Sequence, residues 1–135
     1  MIYHIFISHC WDYSEPYDKL VYWINSDSHL KNSWYNYSVP LSNPIIVTQK
    51  RELKKKLTNK ISLSNVIIIL SGMYAAYSEW IDYEIDEAVR MGKYIIGVKP
   101  WGQERIPRKI QDNATIIVGW NSSSIIEAIK SYKYI

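Results

Sequence analysis

A single cysteine, Cys10, leaves the chain no partner for an internal disulfide and fits a reducing compartment. Three histidines, at 4, 9 and 29, make no metal-ligand spacing with it. His9 and Cys10 are neighbours at an expected strand end, so their side chains diverge and a Cys–His nucleophile pair is poorly placed. Glycine is scarce as well, with five in 135 residues. No glycine-rich loop follows the first strand, where backbone amides would have to approach a phosphate, so Rossmann and P-loop chemistry fall together. The third strand ends Leu70-Ser71-Gly72, without the aspartate a phosphoacceptor receiver needs. No apolar run nears the roughly 20 residues that span a bilayer, and the chain starts directly as a strand with no basic, cleavable leader. The expectation is a cytoplasmic chain with no metal and no membrane contact. A net charge of +3 is too small by itself to argue for nucleic acid.

Hydrophobic residues make up 47% and charged residues 21% of the chain, a globular balance that suits one domain over 1–135 and leaves no room for a second. Twelve tyrosines and six tryptophans stand against one phenylalanine, so most rings carry a polar handle suited to half-wet pockets and interfaces. Val66, Ile67, Ile68, Ile69 and Leu70 run apolar without alternation, the pattern of a strand covered on both faces of a parallel sheet. Strands are also expected over 2–7, 34–37, 93–99 and 114–118. Ser14 caps a first helix ending near Ser28, with Glu15 and Pro16 in its first turn and Tyr17, Leu20, Val21 and Ile24 inward. Pro40 and Pro44 hold 38–44 as an extended loop long enough to line a pocket. Thr48 caps a second helix that turns Leu53, Leu57 and Ile61 inward, with Lys50, Arg51, Lys54, Lys55, Lys56 and Lys60 around them. That basic run reads as a solvated face, because nucleic-acid binding would want aromatic residues interleaved with it. One short helical turn precedes Asn113, and Asn121 or Ser122 caps a last helix carrying Ile125, Ile126 and Ile129. The sum is an α/β, flavodoxin-like sheet of five parallel strands ordered 2-1-3-4-5, with helices on both faces.

The chemistry is expected on the unit formed by strand 66–70, a loop over 71–77 and a helix begun at Ser78. Ser78 suits an N-cap, Glu79 suits the first turn, and Ile81, Ile85, Ala88, Val89 and Gly92 recur toward the core. At about 100° per residue, Glu79, Asp82 and Asp86 fall on the opposite face as solvated acids. Glu84 instead falls at the edge of the apolar arc, one turn from Trp80, where a carboxylate would be half-screened from water beside an indole. Ligands of open α/β sheets bind beyond the carboxyl ends of the strands, where this helix starts, so Glu84 faces the expected crevice. A surface acid near a helix start is the plainer account of the same spacing.

Phe6-Ile7-Ser8-His9 closing the first strand, the apolar third strand and Ser78-Glu79-Trp80-Ile81-Asp82-Tyr83-Glu84-Ile85 resemble TIR-like domains, in particular the ThsB-type proteins of bacterial Thoeris antiphage defence. The likeness spans nearly the whole chain, and Asn36-Tyr37-Ser38-Val39-Pro40 and Pro100-Trp101-Gly102 look like further signatures. It implies an NAD+ hydrolase or ADP-ribosyl cyclase in which Glu84 is catalytic, with NAD+ as substrate and neither cofactor nor metal. Phe6, Ser8, His9, Tyr37 and Ser38 would line the pocket, and Trp80 would fix Glu84 or stack on a ring. Cys10-Trp11-Asp12 lacks a basic residue, which leaves the phosphates to Lys99, Arg105 or another subunit. The implied product is an ADP-ribose-derived signal, cyclic or conjugated, that activates a separate effector protein. A phage-derived trigger and self-association on activation are implied with it. TIR domains of this fold also serve as non-catalytic assembly modules, and nucleoside deoxyribosyltransferases set a glutamate on an N-glycosidic bond over the same sheet, so both stay open.

Overall fold

The computed structural model describes residues 1–8, 15–39, 47–99 and 105–134. In chain order these form β1 (Tyr3–Ile7), α1 (Glu15–Ser26), β2 (Trp34–Asn36), α2 (Val47–Leu63) and β3 (Val66–Leu70). A 3-10 turn (Ser71–Met73), α3 (Tyr74–Arg90), β4 (Tyr94–Val98), α4 (Arg108–Asn113), β5 (Ile116–Val118) and α5 (Ser122–Ser131) follow. Every strand pairing is parallel and the order is β2-β1-β3-β4-β5, the expected flavodoxin-like sheet. Among the described residues, no helix is long and apolar enough to cross a membrane.

Successive side chains of a strand point to opposite faces, and this sorts the core into two layers. Tyr3, Ile5, Ile7, Val66, Ile68, Leu70, Ile96 and Val98 pack with Leu20 and Ile24 of α1 and Ile125 and Ile129 of α5. Phe6, Ile67, Ile69 and Ile95 pack with Leu53, Leu57 and Ile61 of α2, Ile81 and Ile85 of α3 and Ile110 of α4. β3 and β4 are buried at every position, which is why β3 shows no alternation in sequence. Gly97 of β4 permits the approach of α4: a Cβ there would lie 2.9 Å from Ile110 Cγ2 and 3.3 Å from the Ala114 Cβ.

Several expected boundaries shift for local reasons. β5 starts at Ile116 rather than 114, because Ala114 closes α4 by donating its N–H to the Ile110 carbonyl. α2 begins at Val47, so Thr48 lies inside the helix rather than capping it. Of the two caps offered for α5, Asn121 is the one used, its side chain accepting from the Ser124 N–H at 2.9 Å. Gly92 does not face the core: at φ 67° it ends α3, with Gly92 N–H on the Val89 carbonyl and Lys93 N–H on the Ala88 carbonyl. Val89, also expected inward, is 47% exposed. The six-residue α4 reaches α3 higher up, at Asp86 through Lys109, and leaves Val89 bare. Ser14, Pro40 and Pro44 lie outside the described residues.

α2 and α3 both descend from the carboxyl edge of the sheet, so they run parallel, and their side chains meet at a constant separation of 29 positions. Lys50 bonds Glu79, the Tyr83 hydroxyl bonds the Lys54 carbonyl, and Thr58 bonds Glu87.

Candidate functional site

Three serines join the carboxyl ends of four strands. The Ile7 N–H donates to Ser38 Oγ at 3.0 Å, linking the end of β2 to β1. The Leu70 N–H donates to Ser8 Oγ at 3.1 Å, linking β1 to β3, and the Ser71 hydroxyl donates to the Val98 carbonyl, linking β3 to β4. Ser8 and Ser71 are buried. Ser8→Ala is expected to destabilise by about 1 to 3 kcal/mol, because the buried Leu70 N–H loses its acceptor. Thermal melting reads the effect; activity lost with an unchanged melt would instead give Ser8 a role in contacting a ligand.

β3 leads through its 3-10 turn directly into α3, which starts at Tyr74, not Ser78. Tyr77, at φ −131° and ψ 30°, breaks the helix once, and Ser78 opens the segment below the break. The residues expected as a loop over 71–77 are therefore a 3-10 turn and a first helical turn. Glu84 lies ten residues into α3, about 15 Å along its axis, further from the helix start than the spacing implied.

Tyr83 and Glu87 face α2, while Ile81, Ile85 and Ala88 belong to the core cluster. Glu84 falls on the arc between these two sets, so a second helix and the sheet both shield it. Glu84 is 6% exposed, fully buried rather than half-screened. Burial pushes its carboxyl from 4.5 up to about 8, and among the described residues it has no hydrogen-bond partner. A positive charge brought next to it would favour the carboxylate and draw the carboxyl back down.

The remaining acids of α3 are partnered. Glu79 pairs with Lys50 at 3.3 Å and Asp86 with Lys109 at 2.6 Å. Asp82 accepts from the Tyr74 hydroxyl at 2.6 Å, a bond that holds the Tyr74 phenol up to about 12. Glu87 is held below the usual carboxylate range by hydrogen bonds from Arg90 and, against its burial, from Thr58. Glu84 stands apart from all of these.

Of the other sequence-predicted site residues, Phe6 and Trp80 share one buried cluster, joined by Val39. Ser8 and Ser38 have their oxygens in the serine links. Tyr37 is half-buried, its hydroxyl 3.0 Å from His4 Nδ1 and its ring 5.9 Å from Lys60 Nζ. Lys99 and Arg105 are exposed on the connection after β4. His9 lies outside the described residues, as do the rest of 9–14, all of 40–46 and 100–104, which follow β1, β2 and β4 in the chain.

Spacing gave no sign of the network between α2 and α3, in which Thr58 Oγ1 meets the Tyr83 hydroxyl at 2.5 Å and Glu87 Oε1 at 2.7 Å, with Arg90 Nε 2.7 Å from Glu87 Oε2. Its only trace in sequence is a tyrosine and a glutamate four apart on one helix. Among the described residues, no group of three His, Cys, Asp or Glu side chains is placed to hold a metal ion.

Residues 6–105 match the family described as Thoeris protein ThsB, TIR-like domain. The match takes in β1 from Phe6, all of α3 with Trp80 and Glu84, and β4. No curated protein matches the chain.

Proposed function

The chain belongs to the ThsB TIR-like family of Thoeris antiphage defence proteins, and on that premise we propose that it cleaves NAD+ at Glu84 and releases an ADP-ribose-derived signal. One observation carries the reading: a buried carboxyl, pushed up to about 8 and without a partner among the described residues, lies four residues after the buried Trp80.

A carboxyl held at about 8 is protonated at neutral pH. NAD+ brings a positive charge on its nicotinamide ring, and an opposite charge close by favours the carboxylate, so binding sheds the Glu84 proton to solvent. As the glycosidic bond lengthens, nicotinamide leaves as a neutral base and the positive charge moves to the sugar carbon and ring oxygen. A fixed carboxylate in a water-poor setting stabilises that charge more than it stabilises the substrate. Capture of the ribosyl carbon by water completes hydrolysis, and capture by a nucleophile of the same molecule closes a ring. Trp80, one turn before Glu84, holds the helix segment in place through the core.

The same reading includes a phage-derived trigger, self-association on activation and an effector reached through the small-molecule product. The test is chromatography of NAD+ reactions with the parent and Glu84→Gln proteins, alone and with infected-cell extract. Nicotinamide released by the parent and lost in the variant supports the assignment; equal release by a folded variant overturns it. A parallel incubation with deoxynucleosides, if it gave base exchange, would move the protein to deoxyribosyl transfer.

A further inference from the structure

A groove of about 650 Å3 runs along α2 beside Tyr83 of α3, and its lining includes Lys50, Arg51, Lys54 and Lys55, with Thr58 and Asn59 further along. No acid lines it. The two nearest acids of α3 are already engaged, Glu79 by Lys50 and Glu87 by Arg90 and Thr58. Lys54 lies over the Tyr83 ring at 5.4 Å, and its charge has no acidic partner among the described residues. Arg51 and Lys55 are exposed and have no acidic partner among the described residues.

This arrangement works against the helix that carries it. Like charges four apart repel, as 50 with 54 and 51 with 55 do here. The first turn of α2 holds no acid, and the positive end of the helix dipole adds to the same excess. A bound anion would relieve all three effects. From Lys50 to Lys55 the cations spread over about 7 Å of helix axis, a length suited to linked phosphates rather than a single one. The Arg51 fork can grip two oxygens at once, and the Asn59 amide offers a neutral donor one turn beyond, the Thr58 hydroxyl being spent on Glu87.

We propose that the α2 groove is a binding site for a polyphosphate anion, with Arg51 and Lys55 as its main contacts and Lys50 and Lys54 beside them. It is separate from the Glu84 site. Tyr83 faces this groove, while Glu84, the next residue of α3, is turned about 100° inward. The two sites share the contacts of α2 with α3 through Glu79, Tyr83 and Glu87.

The test is calorimetric titration of the whole chain with inorganic triphosphate, ATP and adenosine. Triphosphate and ATP should bind and adenosine should not, and raising salt from about 0.1 to 1 M should weaken binding. Arg51→Ala with Lys55→Ala should weaken it by at least about tenfold, since each removes a charge-assisted bond to phosphate. Lys55→Gln alone, on an exposed position, should weaken it in the same direction, and Glu84→Gln should leave it unchanged. ATP binding tighter than bare triphosphate would assign a nucleotide, and equal binding a plain phosphate chain, both within the proposal. Unchanged binding in the double variant, loss of binding in Glu84→Gln, or binding of an oligoglutamate peptide without any phosphate ligand would each overturn it.

Discussion

The Glu84→Gln protein is expected to melt about 10 to 15 °C above the parent near pH 9, while losing NAD+ turnover by about 10² to 10³. The sign follows from the proton. Glu84 ionises near 4.5 in the unfolded chain and at about 8 in the folded one. Between those values the folded chain keeps a proton that the unfolded chain has shed. Its contribution to stability is therefore fully present below 4.5, declines as pH rises, and is lost above about 8. Each pH unit is worth about 1.4 kcal/mol, so ionising this buried acid costs roughly 3 to 5 kcal/mol of folding free energy. The glutamine amide has nearly the same shape and never ionises, so it escapes that cost and also cannot offset a developing cation. Melting curves of both proteins across the range should coincide at the acid end and diverge steadily upward. Parallel curves at every pH would mean that Glu84 is solvated, and would remove the physical basis for its role.

Trp80→Ala should destabilise the chain by about 3 to 5 kcal/mol, the usual result of emptying a buried indole site. Trp80 is 6% exposed and belongs to the cluster that holds Phe6, Leu53, Leu57, Ile67 and Ile81. Removing it opens space where α2, α3 and the sheet converge, a junction that cannot collapse without moving a helix. The fall in melting temperature should be about 10 to 15 °C, read by circular dichroism. Trp80→Phe, which keeps most of the apolar volume, should recover more than half of it. An alanine variant that melts like the parent would show that the indole contributes little to the core.

How much was legible depends on whether a feature lies within one element or between two. β3 could be placed residue for residue, because burial on both faces writes an unbroken apolar run. The sheet order follows from alternating strands and helices under right-handed crossovers. Glu84 could be singled out, since a helix wheel places it beside the apolar arc. Its full burial could not, because the cover comes from α2, and the separation of 29 positions between the helices is a property of neither sequence period. The start of α3 was missed for a related reason. Ser78 looks like a cap and does open a segment, yet the preceding turn is also helical and the break falls on Tyr77. The links made by Ser8 and Ser38 leave no mark in sequence, because nothing in a serine's type or position distinguishes an oxygen that lines a pocket from one that accepts a neighbouring strand's amide.

Those serine links also bear on mechanics. A sheet edge is normally where strands fray singly, each end free to lift without its neighbours. Here Ser38, Ser8 and Ser71 suture β2 to β1, β1 to β3 and β3 to β4 in succession, like stitches along a hem. A tug at one strand end is handed to the next, so this margin should shift as a unit and resist piecemeal fraying. In deuterium exchange, the amides of Ile7 and Leu70 should then share one slow phase.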